Sequence, residues 1–468
     1  MSIIPFIEEE IIDQYLYDEN PRPWIIGFSG GKDSTMLLQL VWNALKKVPA
    51  ELLTREVFII CNDTMVENPH IVDFINRTLV NVTKAAAEQS MPFIVRQTTP
   101  RLEETFWVNL LGRGYPAPNN SFRWCTERLK INPTTQFIKS KIDEKGEVII
   151  LLGTRSAESQ NRARSIKKHG VKGQRLRKHI LPSAYVYAPI KDIETMEVWQ
   201  YLQQVPPPWG GTNKELVTLY KNANSGDCPL VIDESTPSCG NSRFGCWVCT
   251  VVKRDKSMEG LIGNGEEWMY PLLDLRDELV NGRNIRENRE IFRRHRRFKI
   301  AKSEADKKAS KTEEDTEEDK ENGSWGAYTP EYRAKILKMV LEAQKEVQET
   351  QGETMQLITH QELIAIQVIW YRDGILKYKV ADTYNAIFDI QIKMSNYEEK
   401  RNQEIQLLKE CFDDKIDFEF IQKSLNVLRT KTLMVKKRGL SSDIENLVEE
   451  AVNRQKLKSL YGEEFSVL

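Results

Sequence analysis

Short, unbroken apolar runs punctuate the first third of the chain. They fall at residues 24–28, at 57–61, at Phe93-Ile94-Val95-Arg96 and at 148–152. Each is too short for a helix and predicts a strand, and the first reads as a buried one. Met36-Leu37-Leu38-Gln39-Leu40-Val41 begins a helix after the first run, and Pro69 opens another after the second. Strands alternating with helices predict an α/β fold built on a doubly wound parallel sheet. Residues 6–20 read as an acidic amphipathic helix that Pro21 and Pro23 close. The run Pro206-Pro207-Pro208-Trp209-Gly210 breaks this rhythm and begins a new unit. From residue 330 the pattern turns helical, with leucine and isoleucine at helical spacing over 331–349 and 361–370. Four segments are expected: 1–205, 206–300, a linker at 301–325, and a helical C-terminal region at 326–468.

Composition narrows the classes. At 468 residues the chain is too long for one core, and its 40% hydrophobic content supports packed domains. The formal net charge of −1 excludes a globally basic nucleic-acid binder, so any such surface is a local patch. No apolar stretch approaches the roughly 20 residues that span a bilayer, and no basic, apolar leader opens the sequence; a cytoplasmic protein with no membrane partner is expected. Seven cysteines then point to metal binding or catalysis rather than disulfides.

The first strand runs into Ser29-Gly30-Gly31-Lys32-Asp33-Ser34. Two glycines allow close approach of backbone to ligand, and the helix that follows turns its unpaired N–H groups on the same point. Lys32 adds a cation, and Ser29 and Ser34 add hydroxyls. The spacing differs from the ATPase P-loop G-x-x-x-x-G-K-[ST]. It resembles the SGGxDS loop of the PP-loop ATP pyrophosphatases, which implies an adenine nucleotide alpha-hydrolase-like fold, ATP and Mg²⁺ as cofactors, and cleavage of ATP to AMP and pyrophosphate.

Further motifs follow in order. Asp63 and Thr64 end the second strand, where an open parallel sheet binds its ligand; capping of the next helix by Asp63 is the plainer alternative. Arg123-x-Cys125-Thr126-x-x-x-Lys130-x-x-Pro133 gathers three cations and a thiol within eight residues. Gly153-x-Arg155-x-x-Glu158-Ser159-x-x-Arg162 follows the fourth apolar run. Together they resemble the phosphoadenosine phosphosulfate reductase branch of the PP-loop family. The resemblance implies Lys32, Asp33, Cys125 and Arg155 as catalytic residues, with Ser29, Gly30, Gly31, Ser34, Asp63, Thr64, Arg123 and Gly153 holding the nucleotide. The reductases' C-terminal cysteine motif is missing here; the sequence ends Tyr-Gly-Glu-Glu-Phe-Ser-Val-Leu.

Residues 160–180 hold eight basic residues and no acidic one, which reads as a basic loop suited to a polyanion. A solvated charge run is the plainer reading. Residues 283–302 carry nine basic and two acidic residues, and 304–321 nine acidic and four basic. The first would suit a helix along phosphates; the second reads as a flexible linker.

Cys228, Cys239, Cys246 and Cys249 form C-x10-C-x6-C-x2-C. Four thiolates so close suit structural zinc or an iron–sulfur cluster, and the spacing does not separate the two. A PP-loop segment followed by this set resembles the Dnd-type DNA phosphorothioation sulfurtransferases (DndC family), with the Ssp-type enzymes next. That resemblance implies a [4Fe-4S] cluster, with zinc the alternative, in a subdomain at 206–300. It also implies DNA as substrate, a cysteine desulfurase as sulfur source, and companion Dnd proteins as partners. Three alternatives remain open: a PP-loop tRNA thiolase, a sulfonucleotide reductase, and a non-catalytic nucleic-acid-binding module with a nucleotide switch.

Overall fold

The computed structural model describes residues 3–17, 21–158, 174–223, 245–290, 325–390, 397–432 and 440–461, together with Arg164 and Lys167. These residues form two compact units, 1–101 with 124–273 and 102–123 with 274–468.

The first unit is an α/β layer structure. Its strands are β1 (Trp24–Gly27), β2 (Val57–Asn62), β3 (Phe93–Thr98), β4 (Val148–Leu151), β5 (Leu176–Lys178) and β6 (Ala184–Tyr187). They lie in the order β3-β2-β1-β4-β6-β5, parallel throughout except for β5. The order reverses between β1 and β4, which is where such sheets open a ligand crevice beyond the strand ends.

The two sheet faces bury alternate residues of the same strands. One face sends Trp24, Ile26, Val57, Ile59, Ile149 and Leu151 into the main core. Covering it are α1 (Ile3–Leu16), α2 (Lys32–Leu45), α3 (Pro69–Glu88), α5 (Thr195–Gln204) and α6 (Lys214–Ala223). The other face buries Ile25, Phe58, Ile60 and Ile150 under Ile138 of α4 (Asn132–Lys145). Burial on both faces explains why these strands read as continuous apolar runs. α2 is apolar on nearly every side, with eleven of its fourteen residues buried. That cost in solubility fixes the helix whose N-terminus matters most. Beyond it, α7 (Lys256–Gly263) packs on α6.

The edge hairpin β5–β6 departs from expectation. A wholly parallel sheet was expected, and 176–180 within a basic loop; instead Leu176, Arg177 and Lys178 pair antiparallel with Tyr187, Val186 and Tyr185. The short link between the strands leaves no room for a crossover. Arg175 is bound to Asp13 and lies 3.8 Å from Glu10, so the acidic face of α1 neutralises part of this basic run. Residues 160–163, 165–166 and 168–173 of it lie outside the described residues.

In the second unit, α8 (Pro330–Gln351) and α9 (His360–Arg372) bury Ile336, Leu337, Val340, Leu341, Ile366 and Trp370. A π-helical turn at Val108–Gly112 packs into them: Trp107 Nε1 donates to the Leu357 carbonyl at 2.7 Å and Trp370 Nε1 to that of Leu111 at 2.7 Å. Helices at Val380–Phe388, Tyr397–Cys411, Lys415–Thr432 and Leu440–Tyr461 complete the described part of the helical region expected from the sequence. Within 283–290 there is no helix along the basic run. A 3-10 turn spans Arg286–Asn288, and Arg289 is buried, its guanidinium donating to the carbonyls of Gly326, Arg283 and Trp325.

Candidate active site

The first βα turn is built for an anion. Gly30 adopts φ of +70°, and a Cβ there would fall 2.5 Å from Ile75 Cγ1, so conformation and packing both require glycine. Gly31 then enters α2 from extended backbone. Ser34 ties the turn together: its hydroxyl donates to the Gly31 carbonyl at 3.0 Å and accepts from the Ser29 N–H at 3.2 Å. The N–H groups of Gly30, Gly31, Asp33 and Ser34 have no partner among the described residues. Four unpaired donors at the positive end of a fourteen-residue helix make a phosphate nest.

Charge at this nest is set by three side chains. Arg155 lies just past β4 and is 1% exposed; its Nε donates to Asp33 Oδ1 at 2.6 Å. Its terminal nitrogens hold the Ile193 carbonyl at 2.9 Å and Thr195 Oγ1 at 3.3 Å. Lys32 Nζ lies 3.3 Å from the other Asp33 oxygen. One carboxylate between two cations leaves one net positive charge facing the nest. Gly153 allows the arrangement, because a Cβ there would stand 2.9 Å from the Asp33 carbonyl oxygen. Thr35 Oγ1 on α2 and Thr154 Oγ1 beside Arg155 are buried without a hydrogen-bond partner among the described residues.

Tyr220 was not foreseen. From α6 its hydroxyl accepts from the Lys32 N–H at 3.4 Å, and its ring centre lies 5.4 Å from Lys32 Nζ. Nothing in the amphipathic pattern of 214–223 marks it, because its partner is 188 residues away.

A second cluster gathers sulfur. The carboxyl end of β2 leads into Asp63, whose Oδ1 accepts from the Met65 N–H at 2.7 Å and steadies that residue at φ +62°. The helix cap, the plainer alternative for Asp63, comes instead from Asn68, which accepts from the His70 N–H at 3.1 Å. The Cys246–Cys249 turn is stitched to this segment: Trp247 N–H donates to the Val66 carbonyl at 3.0 Å and Asn68 N–H to that of Gly245 at 3.2 Å. Thr64 Oγ1 lies 3.4 Å from Cys246 Sγ, and that thiol lies 3.7 Å from Glu67 Oε1. Lys130 Nζ pairs with Glu67 at 3.1 Å. Cys125 immediately precedes, and Lys130 lies within, a single π-helical turn, Thr126–Ile131, a rare conformation that concentrates at functional sites.

Electrostatics couple these groups. Burial raises the Cys125 thiol above its ordinary range, the Thr126 hydroxyl pulls it back, and the Cys249 thiol pushes it up again. Cys246 is pushed up first by burial, then by Glu67, against the pull of Lys130. Burial alone would lower Lys130, but Cys246 and Glu67 outweigh it and hold its ammonium above the usual range. Cys61, buried in the core, is pushed up to about 12, chiefly by burial.

The structure thus brings together Ser29, Gly30, Gly31, Lys32, Asp33, Ser34, Gly153 and Arg155 around one turn. It brings Thr64 and Cys125 to the neighbourhood of Cys246 and Cys249, while Asp63 serves its own turn. Arg123 belongs to the second unit, where its guanidinium donates to Asn120 Oδ1 at 2.8 Å. Cys228 and Cys239 lie outside the described residues. Among the described residues no three His, Cys, Asp or Glu side chains are placed to hold a metal ion, and no cysteine is in a disulfide. Cys246 and Cys249 do share one turn, with the Cys249 N–H on the Cys246 carbonyl at 3.0 Å, which suits two ligands of a common centre.

Residues 23–252 match the family of the phosphoadenosine phosphosulfate reductase domain. That stretch is a phosphoadenosine phosphosulfate reductase-like domain of the PP-loop ATP pyrophosphatase superfamily. The match runs through both the nest and the Cys246–Cys249 turn, so one PP-loop domain carries the two clusters. An uncharacterised protein of Methanocaldococcus jannaschii is 27% identical over 256 residues, 52% of this chain and 42% of that protein. The chain therefore spans less than half the length of that relative. Among solved structures, a Candida auris phosphoadenylyl-sulfate reductase in a phosphate complex shows 14% identity and a TM-score of 0.27, over 44% of this chain and 87% of the other. The U34-tRNA thiolase NcsA from Methanococcus maripaludis, with its [4Fe-4S] cluster, shows 15% identity and a TM-score of 0.28, over 62% and 82%. No helix among the described residues is long and apolar enough to cross a membrane.

Proposed function

We propose that the protein is an ATP-dependent sulfurtransferase that acts on a nucleic-acid backbone, with DNA the substrate. The observation that carries the reading is the pairing of a phosphate nest with a cluster of thiols inside one PP-loop domain. A phosphodiester oxygen is a poor leaving group, so its exchange for sulfur needs activation. In the reading supported here, a non-bridging oxygen attacks the α-phosphorus of ATP and pyrophosphate departs. The nest N–H groups and Lys32 meet the charge that builds on the leaving pyrophosphate, and Arg155 holds Asp33 so that Lys32 faces the ligand. Asp33 is committed to Arg155 and Lys32; Mg²⁺ carried by the nucleotide would screen its phosphates. A sulfur nucleophile then attacks the activated phosphorus, and AMP leaves with the original oxygen.

Cys125 is the candidate to present that sulfur, since it lies beside the Cys246–Cys249 turn and Lys130. Cys246 and Cys249, with Cys228 and Cys239, would hold a [4Fe-4S] cluster, with zinc as the alternative; a cluster brings redox chemistry to the site. The order of motifs that resembles the DndC family supports DNA as acceptor, a cysteine desulfurase as sulfur source and companion Dnd proteins as partners. A sulfonucleotide reductase is the second reading, favoured by the family match itself. Pyrophosphate release measured with duplex DNA, with tRNA and with adenylyl sulfate separates them. Release stimulated by DNA, with sulfur recovered in the backbone, is expected. Release stimulated only by tRNA or by the sulfonucleotide refutes the DNA assignment.

A further inference from the structure

The second unit includes a loop at residues 113–123. Its sequence from Arg113 to Arg123, R-G-Y-P-A-P-N-N-S-F-R, has two arginines and no acid. The base is fixed by buried polar groups. The Arg333 guanidinium fills the space where a Cβ on Gly114 would stand, and its Nη1 donates to the Gly112 carbonyl at 3.2 Å. Tyr328, fully buried, accepts from the Ala117 N–H at 3.0 Å through its hydroxyl and donates its own N–H to Gly114 O at 2.7 Å. Arg283 donates to the Pro118 carbonyl at 2.8 Å. The tip is tied as firmly: Asn119 Oδ1 accepts from the Ser121 N–H at 3.0 Å and the Phe122 N–H at 2.6 Å.

This framework holds up a side chain that the core does not use. Phe122 is 44% exposed, with the Tyr115 ring 6.3 Å away. Arg123 beside it is exposed, and Asn120 braces its guanidinium. An exposed aromatic face, a braced cation and neighbouring amides, with no carboxylate in the loop, match one ligand chemistry: a nucleotide whose base stacks and whose phosphate pairs. Two other arginines in basic stretches are committed to partners. Arg289 serves carbonyls, and Arg175 serves α1.

We infer that the 115–123 loop is a nucleic-acid contact in which Phe122 stacks on an unpaired base of the substrate strand. The inference rests on the nucleic-acid substrate proposed above. Pre-organisation matters here, since a loop already ordered loses little freedom on binding. Stacking needs an exposed base face, so the favoured ligand is single-stranded or locally opened nucleic acid.

The test is fluorescence anisotropy with a labelled 20-nucleotide single-stranded DNA, on the full chain carrying Phe122→Ala or Phe122→Trp. Phe122→Ala should weaken binding by roughly 5- to 100-fold, the worth of one stacked base, with the slope of log affinity against log salt unchanged. Phe122→Trp should bind within about twofold of the parent, since it keeps the stacking face. Both should melt as the parent does, because the side chain is half exposed. If the parent binds the strand and Phe122→Ala binds it equally well, the loop assignment is overturned while the substrate reading stands. If the parent binds neither single-stranded nor duplex DNA, both fall. A flattened salt slope for Phe122→Ala would also overturn stacking, because it marks a lost phosphate contact.

Discussion

Replacing Arg155 with methionine tests the electrostatic design of the nest. Methionine keeps the unbranched stem and removes the guanidinium, so the Asp33 carboxylate, 15% exposed, loses its 2.6 Å partner. The Ile193 carbonyl loses its donor as well. Breaking a buried pair by removing one member costs about 3–5 kcal/mol. Water reaches the Asp33 side, so the lower end, about 3 kcal/mol, is expected. For a domain of this size that lowers the melting temperature by roughly 6–12 °C. There is a functional consequence too. With Arg155 gone, Asp33 neutralises Lys32 alone, the net positive charge at the nest vanishes, and ATP binds more weakly. Adding Asp33→Asn removes the stranded carboxylate, so the double variant should melt above Arg155→Met alone. Thermal unfolding by circular dichroism, with and without a non-hydrolysable ATP analogue, reads both effects. A single variant that melts within about 2 °C of the parent, or a double variant below the single, would refute the ion-pair argument.

Two further outcomes follow from the same site. Gly153→Ala places a methyl 2.9 Å from the Asp33 carbonyl oxygen, where only backbone can yield; a loss of about 1–3 kcal/mol in unfolding free energy and weaker nucleotide binding are expected, and a parent-like ATP titration would contradict the packing argument. Cys246→Ser and Cys249→Ser should each lose bound metal in anaerobic iron, zinc and acid-labile sulfide analysis, whereas Cys61→Ser and Cys411→Ser should retain it. Iron with sulfide in the parent supports the cluster, and one zinc without sulfide removes it.

Much of the first unit was written in the chain. The apolar runs at 24–28, 57–61 and 148–152 became β1, β2 and β4, because strands buried on both faces must be apolar throughout, and the shorter run at 93–96 became the edge strand β3, in which only Phe93 is buried. The turn Ser29–Ser34 was legible for a related reason: glycine, serine and lysine at a strand–helix junction leave few uses other than holding an anion. Local pattern could not show the edge hairpin, since β5 has only three residues and its pairing depends on β6 already lying beside β4. The partners of the loop were equally out of reach. Arg155 meets Asp33 across 122 positions and Tyr220 meets Lys32 across 188. Cys246 was expected in a subdomain of its own, yet it lies against Thr64 and Glu67 at the end of β2. The 102–123 excursion into the second unit left no mark either, because its apolar residues read the same whichever core they enter. Sequence fixes what each segment prefers locally, through period, propensity and turn chemistry. Which distant charges and thiols meet is decided only when the sheet order brings the strand ends to one edge.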